Sequence, residues 1–363
     1  MTHAWKTPGA GPVDAWLADD HAAIDPDYAH SLALLNRCRA GQSWHKHGTF
    51  RDHLTGVYRM LKLWGQDRET CLCGLFHSVY SNEYVDLALF DPQHGRSVLA
   101  EHLGADVEAT IHLFCTIPRT AFVNELLACD AVPAQGLRLT RADGETFGLT
   151  RRQTAMFLVV TVADLVEQWY SWQEDTMAGY PHTGHVPAAP LWSVTLWPGP
   201  FRPGSSALHL ASRLARHLPA LGVPVPPVFE ACTRTLPQAD EAAASALYWQ
   251  VSAQGMPLVQ PRAARHLLEA AIERNPWVGE PYLLLAQLDL MAGEFDAARE
   301  AALRGLALLS GWGVSWDKRV SWQGWIVWGR LLAQKAARRE WPDTLRDFNN
   351  LGWVDPEPVV QAS

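Results

Sequence analysis

From Thr49 to Tyr84 the chain reads TFRDHLTGVYRMLKLWGQDRETCLCGLFHSVYSNEY, two apolar helical segments that each carry one histidine on an otherwise apolar face. Any fold for this chain has to bury both. Thr49 is a good N-cap and Asp52, three residues on, completes a capping box, so a helix starts there. Phe50, His53, Leu54, Val57, Leu61 and Trp64 then share one face, Arg51, Arg59 and Lys62 sit elsewhere, and Gly65 follows as a C-cap. The next segment, Glu69 to Tyr80, is apolar nearly all round, which predicts a helix inside the core with His77 inside as well.

A lone buried imidazole ordinarily satisfies its two nitrogens with a carbonyl, a hydroxyl or a carboxylate. Two inward histidines on consecutive helices weigh more toward a metal or catalytic role. A third residue joins them. In RRQTAMFLVVTVADLVEQWYSW, Arg151 to Trp172, Thr150 is the N-cap with Gln153 as its box partner, and Asp164 lies within an apolar run that begins at Met156. A carboxylate buried there needs a cation, a metal or several donors, or it has to be protonated. Neutral imidazole and carboxylate from different helices are a standard ligand set for a divalent metal. His53, His77 and Asp164 are therefore the expected metal ligands, with His112 in HLFCTIPR as a further one. Tyr80, Tyr84 and Arg119 are the expected catalytic pocket residues, with Glu83 beside the tyrosines and Arg119 suited to a substrate carboxylate or phosphate. His45 and His47, on the loop GQSWHKHG, come close enough in sequence to reach the same place.

With 363 residues the chain is long enough for two domains, each with its own core. Thirty basic against 38 acidic side chains, a net of −8, create no field for DNA, RNA or anionic lipid, so no nucleic-acid partner and no membrane are expected. The six cysteines include no Cys-x-x-Cys and fall in apolar context, which reads as reduced core residues in the cytoplasm. The start, MTHAWKTPGAGPVDAW, has no basic-then-apolar signal pattern.

Along the chain, residues 1–20 read as a Pro/Gly-rich arm, 21–176 as a helical domain carrying the histidines, 177–206 as a Pro/Gly-rich linker and 207–363 as a second helical domain. A first helix is expected over His30 to Cys38, and residues 134–149 alternate apolar and polar around a hairpin turn at Asp143-Gly144. His182 and His185 on the linker have a separation that permits metal binding. In the second half Ala264, Ala271 and Pro276 recur 34 residues later as Ala298, Gly305 and Ser310. That period, with Tyr282, Leu285, Ala286, Gly293 and Phe295 at helix-turn-helix positions, resembles the tetratricopeptide repeat, over Arg262 to Leu309. A last helix is expected over Lys318 to Arg338. Its tryptophans, with Trp312, Trp316, Trp341 and Trp353 around it, read as core closing a short array rather than as a ligand groove.

His53, His77 in GLFHSVYS and Asp164 in TVADLVEQ together resemble the HD superfamily of metal-dependent proteins over residues 45–175. The resemblance implies an all-helical domain, so the expected architecture is mainly α, an HD-like domain followed by a tetratricopeptide-like one. One position departs from the pattern: Ser78 follows His77 where the superfamily has its dyad Asp, a trait of a poorly characterised His-Ser group in plants and bacteria. A serine hydroxyl poorly replaces a bridging carboxylate. Two histidines and one carboxylate remain, in composition the facial set of non-haem Fe(II) oxygenases. The leading expectation is accordingly an oxygenase acting on a small-molecule substrate, with Fe(II) ahead of Mn or Mg. The first alternative is an HD-type phosphohydrolase. The second is a non-catalytic adaptor, its site degenerate, binding a peptide or protein partner through the repeats.

Overall fold

The computed structural model describes residues 11–45, 48–84, 86–141, 143–168, 207–232, 235–253, 259–344 and 346–347. His47, His182, His185, Trp353 and the linker 177–206 lie outside the described residues. The architecture is mainly α. In the first unit the helices are α1 (Pro12–Leu17), α2 (His21–Ile24), α3 (Pro26–Arg37), α4 (Phe50–Leu63), α5 (Arg68–Leu75), α6 (Arg96–Leu103), α7 (Ala105–Thr116), α8 (Arg119–Ala128) and α9 (Arg151–Gln168). A short ladder, β1 (Trp44–His45) with β2 (Gly48–Thr49), precedes α4, and an antiparallel hairpin, β3 (Leu137–Thr140) with β4 (Thr146–Leu149), precedes α9.

Two capping boxes start the helices that carry the histidine and the aspartate. Thr49 Oγ1 accepts from Asp52 N while Asp52 Oδ2 accepts from Thr49 N, both at 3.1 Å, and Thr150 and Gln153 exchange the same pair of bonds ahead of α9. The hairpin turns at Gly144 with φ +88°, as its Asp-Gly pair requires. α4 lies against both α5 and α9, and small residues set the approach. A Cβ on Gly74 would collide with Leu61, and one on Gly56 would stand 2.9 Å from Glu167. α9 is buried nearly all round, from Thr154 to Val166.

Three expectations change. The N-terminal stretch from Gly11 is not a loose arm: α1 buries Val13 and Trp16, and the Trp16 ring meets Tyr28 edge-on at 5.1 Å. The first long helix begins at Pro26 rather than His30, because Asp25 caps it and proline suits its first position. The helix expected over Glu69 to Tyr80 spans Arg68–Leu75 and leaves His77 on the turn beyond it, where the imidazole Nδ1–H donates to the carbonyl of Gly74 at 2.7 Å, in the last turn of that helix.

The second half holds α10 (Ala207–Ala215), α11 (Leu218–Leu221), α12 (Pro227–Cys232), α13 (Gln238–Ala253), α14 (Pro261–Arg274), α15 (Glu280–Ala292), α16 (Phe295–Trp312) and α17 (Trp322–Arg338). Tetratricopeptide-like helix pairing runs from α13 to α17. Ala264, Ala271, Ala286 and Ala298 are buried, and a Cβ on Gly305 would come within 2.8 Å of the Gly279 carbonyl and 2.7 Å of Leu283. Trp312, Trp316, Trp322 and Trp325 are core. α17 starts at Trp322, not Lys318, because Ser321 Oγ accepts from Gly324 N (3.1 Å) and the preceding segment is pinned as a loop by Trp316 N and Asp317 N, which donate to Glu280.

α10 and α11 pack on α9, and α10 also meets α12 and α13. The repeats seat on α4: Arg59 Nε donates to Gly313 O at 2.7 Å and Trp64 Nε1 to Gly311 O at 2.9 Å. Among the described residues no helix is long and apolar enough to cross a membrane.

Candidate metal centre

The inward face of α4, the turn after α5 and the last turn of α9 bring His53, His77 and Asp164 together. His53 Nε2 is 3.2 Å from His77 Nε2, and Asp164 Oδ1 is 3.2 Å from the first and 3.5 Å from the second. The far side of each ring fixes its tautomer. His53 Nδ1 faces Glu167 Oε2 at 2.6 Å and His77 Nδ1 faces the Gly74 carbonyl at 2.7 Å, so both Nδ1 atoms carry hydrogens and the neutral rings aim their Nε2 lone pairs at one point. Two imidazole lone pairs and a carboxylate oxygen at that separation repel one another unless a cation lies among them.

The triangle has the size of a metal face. Bonds of about 2.0–2.2 Å to a divalent ion, at angles of about 90–110°, place neighbouring ligand atoms about 2.8–3.6 Å apart, and all three edges fall in that range. These three residues are the ligand group that the described residues present. The outer contacts also suit a metal site, with a carboxylate and a carbonyl behind the two imidazoles. Without a metal, a proton takes the central place. Burial opposes charge on His53, but the hydrogen bonds and charges of Asp164 and Glu167 outweigh it and lift the pKa to about 9. Burial holds His77 below its ordinary value, against the pull of Asp164. Burial likewise opposes ionisation of Asp164, yet His77, His53 and Arg119 hold its carboxyl well below the usual range.

The cluster forms part of the wall of a cavity of about 490 Å³, within the size range of small-molecule sites. Arg119, in the first turn of α8, is 7% exposed and its Nη1 donates to Asp164 Oδ2 at 3.0 Å. Its guanidinium lies over the Phe114 ring at 4.2 Å, and among the described residues its buried Nε and Nη2 meet no hydrogen-bond partner. Tyr84 stands at the mouth, 62% exposed, its hydroxyl 2.9 Å from Thr120 Oγ1. Glu83 caps α8 by accepting from Thr120 N. His45 lies against the His53 ring, centroids 4.6 Å apart, and lines the cavity. Ser78 Oγ accepts from Asn82 Nδ2 at 2.7 Å, and both line the cavity.

Two expected residues go elsewhere. Tyr80 and His112 do not line the cavity. Tyr80 is buried with its hydroxyl donating to Glu108 Oε1 at 3.0 Å, Arg96 pairs with Glu108, and the His112 ring meets Tyr80 edge-on at 5.5 Å. The carboxylate of Glu108 draws the tyrosine away, so His112 stands in a separate cluster, apart from His53, His77 and Asp164. Other residues were not anticipated. Glu167 lies three residues after Asp164, a spacing that puts both carboxylates on one side of α9 and was legible in TVADLVEQ. Gln168 Nε2 donates to Asp164 Oδ1 at 2.8 Å. Lys318 reaches Glu167 from the repeats, and Leu210 and Leu214 of α10 line the apolar side of the cavity. No local sequence signal marked these last three.

Fold and site together define a mainly α-helical protein with a buried two-histidine, one-carboxylate cluster of metal-ligand type in its first unit and a tetratricopeptide-like repeat in its second. Residues 34–119 match the family described as a domain of unknown function (DUF6817), a span that takes in His53, His77 and Arg119 and stops before Asp164. Residues 259–308 match the tetratricopeptide repeat. No curated protein and no solved structure matches the chain.

Proposed function

We propose that this chain is a metal-dependent enzyme of small-molecule metabolism, an HD-like non-haem Fe(II) oxygenase in which His53, His77 and Asp164 hold one divalent ion, Fe(II) ahead of Mn or Mg. The observation that carries this reading is the convergence of three lone pairs, two of them fixed by hydrogen bonds on the far side of each ring. A bound Fe(II) with three protein ligands leaves open positions for O₂ and substrate. Ser78 favours a single ion, because the place of a bridging carboxylate is taken by a hydroxyl already engaged by Asn82.

The chain's own residues favour a substrate that carries a carboxylate. Arg119 keeps Nη1 on Asp164 and leaves Nε and Nη2, the edge with two parallel N–H bonds, for a carboxylate. The charge balance points the same way. Asp164 is matched by Arg119 and Glu167 by Lys318, so the two positive charges of the ion need an anion from the substrate. Leu165, Leu210, Leu214 and Val123 offer the remainder of the molecule an apolar wall, and Tyr84 stands where it would be enclosed. The runner-up, an HD-type phosphohydrolase, is favoured by the same guanidinium and disfavoured by Ser78. The repeats suit a peptide or protein partner in addition.

The test is elemental analysis of protein purified without chelator or affinity tag, beside His77→Ala. Near-stoichiometric iron in the parent, lost in a variant that stays folded, with O₂ consumed in the presence of small carboxylates, is the expected result. Phosphate released from generic esters without O₂ replaces it with the runner-up. No metal in the parent, even after anaerobic Fe(II) or Mn(II) loading, overturns both and leaves the adaptor.

A further inference from the structure

The repeats reach the metal centre through one side chain. Lys318 lies on the connector between α16 and α17, 7% exposed, and its Nζ donates to the backbone carbonyl of Glu167 at 2.6 Å while standing 3.9 Å from Glu167 Oε1. The other oxygen of that carboxylate, Oε2, accepts from His53 Nδ1 at 2.6 Å. A continuous line of contacts therefore runs from the second unit through Glu167 to an imidazole of the cluster.

Two features make this more than a docking contact. The same ammonium touches the backbone carbonyl and faces the carboxylate of the residue that stands behind His53, and Asp164 lies three residues earlier on the same helix. The lysine is itself held from behind. Arg59 of α4 bonds to Gly313 O and lies 4.8 Å from the Trp322 ring, so the connector is fixed at both ends to the helix that bears His53. A buried ammonium is costly unless paired with good geometry, and here Glu167 and Glu280 attract it while Arg59 opposes it.

We propose that Lys318 is a positioning residue of the metal centre: it bonds the Glu167 carbonyl and faces the Glu167 carboxylate, and so makes the orientation of His53 and Asp164 depend on the docked repeat unit. This rests on the metal-binding reading above. Partners behind a ligating histidine typically change metal affinity by about 10–100-fold, and that is the scale expected here.

The experiment is an anaerobic titration of the full-length protein with Mn(II), and with Co(II) for its visible spectrum, on parent, Lys318→Met, Lys318→Gln and Glu167→Gln. Lys318→Met is expected to weaken Mn(II) binding about 10-fold or more and to change the Co(II) band. Glu167→Gln is expected to weaken it as well, because the charged acceptor behind His53 is lost. Should Lys318→Met fail to fold, Lys318→Gln, which removes the charge facing the carboxylate, decides by the same readouts. Parent-like affinity and spectrum in the folded lysine variant overturn the inference and leave the metal site standing. A parent that binds neither ion overturns the metal reading itself, and this inference with it.

Discussion

Alanine at Gly56 makes the anchoring of Glu167 a question of sign. In an unencumbered helix interior the change from glycine stabilises by about 1 kcal/mol. At this position the new Cβ would stand 2.9 Å from Cγ and Oε1 of Glu167 and 3.1 Å from its Cδ. Ordinary carbon contacts lie at about 3.5–4.0 Å, so the glutamate has to retreat by about 0.6 Å. A loose side chain would do so at little cost. This one is bonded to His53 at 2.6 Å, and its backbone carbonyl holds Lys318. Forcing atoms into such a place costs about 1–3 kcal/mol, and after the helix gain of about 1 kcal/mol a net loss of about 1 kcal/mol remains. Urea denaturation of the metal-free protein, read as a lower midpoint at unchanged slope, measures it. Mn(II) titration should show about 10-fold weaker binding, since His53 loses its orienting partner. An alanine variant about 1 kcal/mol more stable than the parent, with unchanged Mn(II) affinity, would refute the reasoning: Glu167 would then be free to move and no part of the site.

Two further predictions concern the repeats. Glu280 is fully buried, and burial together with the charge of Asp317 outweighs its bonds from Trp316 N and Asp317 N and lifts its pKa from 4.5 to about 7. A raised carboxyl binds its proton more tightly in the folded state, so the protein loses stability as pH climbs from about 4.5 to about 7, by up to about 3 kcal/mol. Glu280→Gln should flatten that slope in urea midpoints taken from pH 5 to 7.5, and an unchanged slope would show the group to be ionised throughout. Gly305→Ala places a Cβ 2.7 Å from Leu283 Cδ2 and 2.8 Å from the Gly279 carbonyl. It should destabilise by about 1–3 kcal/mol while leaving metal content at the parent level, and a stabilised variant would mean that the helices there are not in close contact.

How far the sequence determined this protein is clearest at particular residues. The boxes at Thr49–Asp52 and Thr150–Gln153, the hairpin at Asp143-Gly144 and the paired small residues of the repeat were legible because each is a bond or a clearance between residues close in sequence or related by a fixed period. His53, His77 and Asp164 were legible for another reason: a polar group on an apolar face has to be satisfied inside, and three such groups share one solution. Tertiary structure alone decided the rest. Tyr80 turns to Glu108, 28 residues on, and meets the His112 ring of the same helix, because a carboxylate from another element competes for its hydroxyl. Lys318 looked like the start of a helix and instead bonds the Glu167 carbonyl of the first unit. Periodicity states which face of a helix is buried; which group from 151 residues away meets that face depends on how the units pack, and no local pattern encodes it.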